Sequence, residues 1–282
     1  MPELAYVNGI FSPIETAMVP VEDRGYQFGD AVYEFIASYN GRLFFLDAHL
    51  DRLERSLTAL AFPTLDKKKI REAVLALFQR AGLPRAGVYI QISRGVAPRN
   101  HVVSDLPNVQ MIMTVRKVKE IDAKLRKEGV SVITMKDFRW GRCDIKTVQL
   151  LANVMAKQQA LAAGVYDTIF LAEDDVVREA TSSNVFMVTA GKLITHPLNT
   201  HILAGITRAV IIDCAGEIPL PVEERFYTIK ELYHANEVFL TATATEVLSV
   251  VKIDGEKIGE GTVGPITKRL FEALQEQYNK PE

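Results

Sequence analysis

Apolar and polar positions follow two different periods along this chain. Near the start, short strand-like runs bracket Asn-Gly pairs. Tyr6-Val7 and Ile10-Phe11 flank Asn8-Gly9, and Val32–Tyr39 and Arg42–Phe45 flank Asn40-Gly41. Asn and Gly tolerate the positive φ of a type I′ turn, so each pair predicts an antiparallel hairpin. Neither hairpin is flanked by the helices of a parallel unit, which argues against a dinucleotide-binding start. The period then becomes helical. Leu50, Leu53, Leu57 and Leu60 share a face behind a possible cap at Asp47, and Phe62-Pro63 ends the run. Asp66 caps a second helix with Ile70, Val74, Leu75, Leu77 and Phe78 on its apolar face, closed by Ala81-Gly82.

Strands are predicted at Ala86–Ser93 and Val109–Val115, joined by a polar, Pro- and Gly-containing loop over 94–107. Beyond an alternating-charge stretch at Lys117–Gly129, the run Val130–Met135 opens a second series. It comprises a helix over Thr147–Ala163, strands at Tyr166–Ala172, Asn184–Val188 and Lys192–Thr195, and a helix over Ile206–Cys214. Strands at Glu237–Thr241 and Val247–Val251 and a closing helix at Pro265–Gln277 complete it. The mixture predicts an α/β chain of two domains. Residues 1–117 form a smaller N-terminal domain, 118–129 a linker and entry, and 130–282 a larger C-terminal domain. The ligand site is expected between the domains.

Composition narrows the class. The chain has 282 residues, 48% hydrophobic and 24% charged, as in an ordinary globular protein. With 33 Lys and Arg against 35 Asp and Glu, the net charge is −2. That balance gives no support for a duplex nucleic-acid surface and leaves room for a local anion site. Cys143 and Cys214 make neither a disulfide scaffold nor a zinc site, so no metal is expected. Met1–Pro13 lacks the basic and apolar segments of a secretory signal, and no apolar run reaches the roughly 18 residues of a membrane span. A cytoplasmic protein is the expectation.

The chemistry concentrates in seven segments: EDRGYQFGDAVYE at 22–34, HLDRL at 49–53, SRGVAPRNH at 93–101, RWGRCDIKT at 139–147, REATSSNVF at 178–186, ILAGITR at 202–208 and VFLTATATE at 238–246. Together and in this order they resemble the class IV aminotransferases, pyridoxal-phosphate enzymes of fold type IV, and among them the D-amino-acid aminotransferases. Taken alone, Lys146 reads as a solvated surface group. Its neighbours Trp140 and Ile145 are apolar, and a lysine kept from bulk water loses its charge more easily and can form an imine with an aldehyde. The resemblance implies that Lys146 forms the Schiff base with pyridoxal phosphate and moves the substrate proton. It implies that Glu179 faces the ring nitrogen, with a salt bridge to Arg178 as the competing arrangement. It assigns the phosphate to Arg52, Ile206, Thr207 and Thr243. Gly205-Ile206-Thr207 at a predicted helix start suits an anion independently of the resemblance. The family usually has Gly where Ala242 precedes Thr243.

Substrate choice rests on other residues. Arg99 and His101 lie two apart, so an extended backbone would point both at one carboxylate; a solvated loop tip is the alternative. The resemblance makes them the carboxylate trap of a D-amino-acid aminotransferase, on a loop contributed by the neighbouring subunit of a homodimer and completed by Tyr33. Arg139 and Arg142 flank the lysine and could favour acidic substrates. Asn100 within the trap and Ala180-Thr181 in place of Gly-Ser depart from the usual pattern. The implied activity is transfer of an amino group from a D-amino acid, of the D-alanine or D-glutamate type, to a 2-oxo acid. Branched-chain L-amino-acid aminotransferases, (R)-amine transaminases and aminodeoxychorismate lyases share the cofactor residues and stay open as alternatives, as does an inactive cofactor-binding or interaction homologue.

Overall fold

The computed structural model describes residues 3–102 and 108–280, so the far end of the polar loop, 103–107, lies outside the described residues. The chain forms two compact units. The first takes residues up to 119 together with 145–149, and the second takes 120–144 and 150–280. Among the described residues, no helix is long and apolar enough to cross a membrane.

In the first unit, strands β1 (Leu4–Val7), β2 (Ile10–Pro13), β3 (Ala31–Tyr39), β4 (Arg42–Leu43), β5 (Ala86–Ser93) and β6 (Gln110–Lys117) form one antiparallel sheet in the order β2-β1-β6-β5-β3-β4. Both Asn-Gly turns have positive φ at each residue: 48° and 98° at Asn8 and Gly9, 50° and 75° at Asn40 and Gly41. A short helix α1 (Arg24–Phe28) precedes β3, and α2 (Leu46–Ala59) and α3 (Lys67–Ala81) cover the sheet. Their leucine-rich faces supply the core: Leu46, Leu50, Leu53 and Leu57 from α2, and Ile70, Val74, Leu77 and Phe78 from α3, are buried against Val32, Ile36, Val88, Ile90 and Met113. Gly87 permits the close packing of β5, because a Cβ there would lie 2.3 Å from the ring of Phe35.

Helix α2 begins one residue before Asp47. Phe45 takes a left-handed conformation as its N-cap and offers no side-chain cap, which also ends β4 short of the predicted Phe45. Asp47 instead sits in the first turn, 2.9 Å from Arg71. Asp66 caps α3 as expected, accepting from the amides of Lys68 and Lys69.

The second unit contains α4 (Ala123–Glu128), β7 (Val130–Lys136), α5 (Leu151–Ala162), β8 (Asp167–Leu171), β9 (Val177–Ala180), β10 (Asn184–Thr189), β11 (Lys192–Thr195), α6 (Ile206–Gly216), β12 (Val222–Glu224), α7 (Ile229–Tyr233), β13 (Glu237–Ala242), β14 (Glu246–Ile253), β15 (Glu256–Lys257) and α8 (Pro265–Gln277). Its strands run in the order β12-β11-β10-β13-β14-β7-β8-β9, with β15 on β14. Strand β7 lies parallel to both β14 and β8. Strand β9 turns back to meet β10 where Glu179 pairs with Asn184, so β10, β13, β14, β7, β8 and β9 close into a ring. Its core includes Val132, Ile169, Val185, Met187, Leu240, Leu248 and Tyr227.

Two expectations change here. The helix predicted over Thr147–Ala163 begins only at Leu151. Residues 145–149 are extended and belong to the first unit: Thr147 bridges to Val32, the Tyr33 amide donates to the Lys146 carbonyl at 2.9 Å, and Ile145 is buried in the first core. The stretch expected as a linker and entry to the second domain, 118–129, holds α4, whose Arg126 donates to the Val247 carbonyl and to Glu246 of the second unit.

Leu77 has no exposed surface in the first core. Leu77→Ala should lower stability by about 2–5 kcal/mol in urea unfolding, and a loss below about 1 kcal/mol would contradict this packing.

Candidate active site

In the first unit, Lys146 is half-buried on its extended segment. Its amide donates to Ser56 Oγ at 3.2 Å, and its Nζ lies 3.3 Å from the Tyr33 hydroxyl and 4.3 Å from the centre of that ring. Tyr33 therefore holds the amine through its hydroxyl and its ring face. The apolar surroundings expected for the lysine are only half present, since Ile145 is buried and Trp140 is 37% exposed.

The next residue of β3, Glu34, has no exposed surface. Arg52 of α2 grips it with Nε at 2.7 Å and Nη2 at 2.8 Å, and His49, one turn earlier, meets it at 2.7 Å. Burial pushes the Glu34 carboxyl up, but the charge and hydrogen bonds of Arg52, with the bond from His49, outweigh it and hold the group down to about 2. Burial drives the His49 ring toward its neutral form; Glu34 opposes this, while the charges of Arg52 and Lys146 add to it. An ionised carboxylate only accepts, so His49 Nδ1 carries the hydrogen. Arg52 is thus a buried, oriented guanidinium, where a helix arginine is usually solvated. Glu34 and His49 escape sequence reasoning, although a glutamate inside an apolar strand and a His-x-x-Arg pair at helical spacing are visible signals.

In the second unit, Glu179 on β9 is buried. Its Oε1 accepts from Arg139 Nη1 at 2.6 Å, and its Oε2 from the Leu203 amide at 3.0 Å and Asn184 Nδ2 at 3.2 Å. Arg178 does not compete; it pairs with Asp137 at 2.8 Å. Arg139 binds the same Asp137 through Nε and Nη2 and lies 4.4 Å above the Phe170 ring. Burial raises the Asp137 carboxyl, yet Arg139 and Arg178 together hold it below the usual carboxylate range. Arg142 pairs with Asp144. The expectation that Arg139 could draw acidic substrates is therefore corrected, because Asp137 and Glu179 engage its buried guanidinium, whereas the Arg142–Asp144 pair is solvent-exposed. Burial also pushes the Cys143 thiol up to about 11, which keeps it protonated at neutral pH.

Helix α6 opens at Gly205 with no side-chain cap. Its first amides, from Ile206 onward, point out of the helix end with the positive end of the dipole, and Thr207 beside them is buried. A Cβ at position 205 would fall 2.1 Å from Asn184 Oδ1, so only glycine permits this approach. Thr243 sits half-buried in the β13–β14 turn. Ser183 Oγ and Thr241 Oγ1 of the same unit are buried without partners. A carboxylate locked by three donors, an uncapped helix start and orphaned hydroxyls fit a phosphorylated aromatic cofactor in need of a carboxylate at its ring nitrogen and amides at its phosphate.

Arg99 and His101 are exposed on a bent rather than extended loop, yet both reach the ring of Phe28. The Arg99 guanidinium lies 4.5 Å above it and the His101 ring meets it edge-on at 5.5 Å. Each side chain is anchored on that ring, and strand alternation plays no part.

The family model described as Amino-transferase class IV matches residues 31–253. The D-alanine aminotransferase of Bacillus licheniformis is 42% identical over 272 residues, covering 95% of this chain and 94% of that one. That of Staphylococcus haemolyticus is 38% identical over 276 residues, covering 98% and 96%. Among solved structures, a T.th. branched-chain amino acid aminotransferase with pyridoxamine 5'-phosphate superposes with a TM-score of 0.91 at 26% identity, covering 100% of this chain and 96% of that one.

Glu34 gives stability at pH values above its ordinary 4.5, and that contribution disappears as pH falls toward about 2. Acid unfolding of the wild type should therefore steepen between those values. Glu34→Gln should be less stable at pH 7 and lack that component of the slope; equal slopes in the two proteins would refute the buried pair.

Proposed function

The chain belongs to the class IV aminotransferases, and from that premise we propose that it transfers an amino group between a D-amino acid, of the D-alanine or D-glutamate type, and a 2-oxo acid. It is a pyridoxal-phosphate enzyme of fold type IV. When bound, that cofactor supplies an aldehyde that captures the amine and a ring that withdraws electrons from the substrate Cα. In this reading Lys146 Nζ would meet its aldehyde and the Glu179 carboxylate would meet its ring nitrogen. Arg52, the amides of Ile206 and Thr207, and the hydroxyls of Thr207 and Thr243 bind the phosphate. Lys146 Nζ takes the proton from the substrate Cα, steadied by the Tyr33 hydroxyl at 3.3 Å. Arg139 keeps the Glu179 carboxylate in one orientation.

The observation that carries the D-amino-acid reading is the meeting of Arg99 and His101 on one ring. It ties a forked cation and a second donor to one aromatic anchor, which suits recognition of an α-carboxylate. With the carboxylate fixed there and at Tyr33, and the base fixed at Lys146, one enantiomer alone presents its Cα hydrogen. The other must leave its carboxylate without those donors, at a cost of several kcal/mol.

The same loop supports a homodimer in which Arg99 and His101 serve the neighbouring subunit. The first unit exposes Met18 (81%), Val21 (77%) and Tyr26 (77%) on the segment leading to and through α1, and Val102 (69%) at the loop end. Large apolar side chains gathered around one loop suit burial against a second copy.

The deciding experiment assays D- and L-enantiomers in parallel with (R)-1-phenylethylamine. D-alanine or D-glutamate should lead, and Arg99→Ala should harm them far more than the carboxylate-free amine. Faster turnover of L-leucine, or amine turnover indifferent to Arg99, would overturn the reading. Borohydride reduction of the holoenzyme should tag the peptide containing Lys146, and Lys146→Ala should lose turnover while keeping the wild-type circular dichroism spectrum. Sedimentation should find a dimer, which Tyr26→Lys shifts toward monomer with loss of activity; a fully active monomer would exclude shared sites.

A further inference from the structure

The loop that presents Arg99 and His101 is held from beneath. Arg24 of α1 is buried, and its guanidinium reaches three ways. Nε donates to Asp30 at 2.9 Å, Nη1 to the Asn100 carbonyl at 2.6 Å, and Nη2 to the His101 carbonyl at 3.4 Å. The backbone of the two trap residues' own segment therefore rests on one buried cation. Asp30 is shared with Arg94 at the loop's start, whose Nε approaches both its oxygens and whose Nη2 donates to the Leu60 carbonyl at 2.8 Å. Backbone contacts fasten the stretch between: the Arg24 amide donates to Gly95, the Ala97 amide to Glu22, and Asp23 bridges to Val96.

Phe28 stands one turn after Arg24 on α1, and the Arg24 guanidinium lies 4.8 Å from its ring. The ring also carries Arg99 and His101. A guanidinium lying over an aromatic ring engages its face and leaves its in-plane N–H groups pointing outward. Arg99 gives one of them to the Gln27 carbonyl at 3.3 Å, which with the ring contact restrains the guanidinium from two sides. Without these supports, two exposed side chains would sample many rotamers, and ligand binding would have to order them.

We infer that Arg24 and Phe28 are positioning residues for substrate, fixing Arg99 and His101 in advance for one carboxylate. The inference rests on the proposed carboxylate role of Arg99 and His101 and adds the residues that determine its strength. In this inference Arg24 and Phe28 act through Arg99 and His101. Their effect appears in how tightly a carboxylate-bearing substrate binds, not in the rate of the chemical step.

The test uses the holoenzyme in its half-reaction with D-alanine, followed by the change in cofactor absorbance over a range of substrate concentrations. Phe28→Leu keeps the apolar bulk and removes the ring. It should raise the half-saturating concentration roughly tenfold and leave the limiting rate within about twofold. Phe28→Tyr, which restores the ring, should return the wild-type value. Arg24→Lys, which cannot reach Asp30 and two carbonyls together, should show the same split as Phe28→Leu. Hydrogen exchange of amides 94–102 should quicken in Arg24→Lys, and the affinity for pyridoxal phosphate should stay unchanged in every variant. A fall in limiting rate and cofactor affinity along with substrate affinity would reveal a merely structural role and overturn the inference. If Arg99→Ala weakens D-alanine binding while Phe28→Leu does not, the inference fails and the carboxylate reading survives. If Arg99→Ala itself leaves D-alanine binding unchanged, both fall.

Discussion

Ionised groups sealed from water govern this molecule. Glu34 sits on β3 of the first unit with no exposed surface, and removing a carboxylate from water costs far more than any single packing contact returns. It is tolerated because Arg52 meets it with two parallel N–H groups and His49 with a third. That match dictates much around it. Helix α2 must lie against β3 at the distance those side chains span. Its leucines must then face the sheet, and Ser56, one turn beyond Arg52, is brought to the amide of Lys146.

The second unit obeys the same constraint with different residues. Asp137, Arg139, Arg178 and Glu179 alternate in sign, so each charge has an opposite neighbour. The result is a carboxylate at Glu179 whose position is set by covalent neighbours on β9 and by three donors. Arg52 in the first unit and Glu179 in the second are thus each held by buried, oppositely charged groups of their own unit.

Local chemistry makes much of this legible in the sequence. The Asn-Gly hairpins, the Asp66 cap and the leucine spacing of α2 each follow from a few adjacent residues, and each forms as read. Failures arise where distant residues decide. Residues 147–150 have helical spacing, but pairing with Ala31 and Tyr33 keeps the segment extended. Arg139 is readable as a cation and not as the partner of Glu179, forty positions away. Arg99 and His101 stand out on strand geometry, whereas the aromatic ring that gathers them comes from Phe28. Glu34 escapes notice because a charged residue in a strand ordinarily faces water.

The closure of β9 onto β10 has a consequence for how the second unit comes apart. An open sheet can peel from its edge one strand at a time, whereas strands joined in a hoop have no edge there at which fraying begins. The hoop is fastened where Glu179 pairs with Asn184, and the Asn184 side chain also binds the Glu179 carboxylate. The same residue pair therefore contributes both to closing the hoop and to holding that carboxylate. Glu179 thus shares the restraint of the cyclic array, because it sits at the pair that joins the two ends of the hoop.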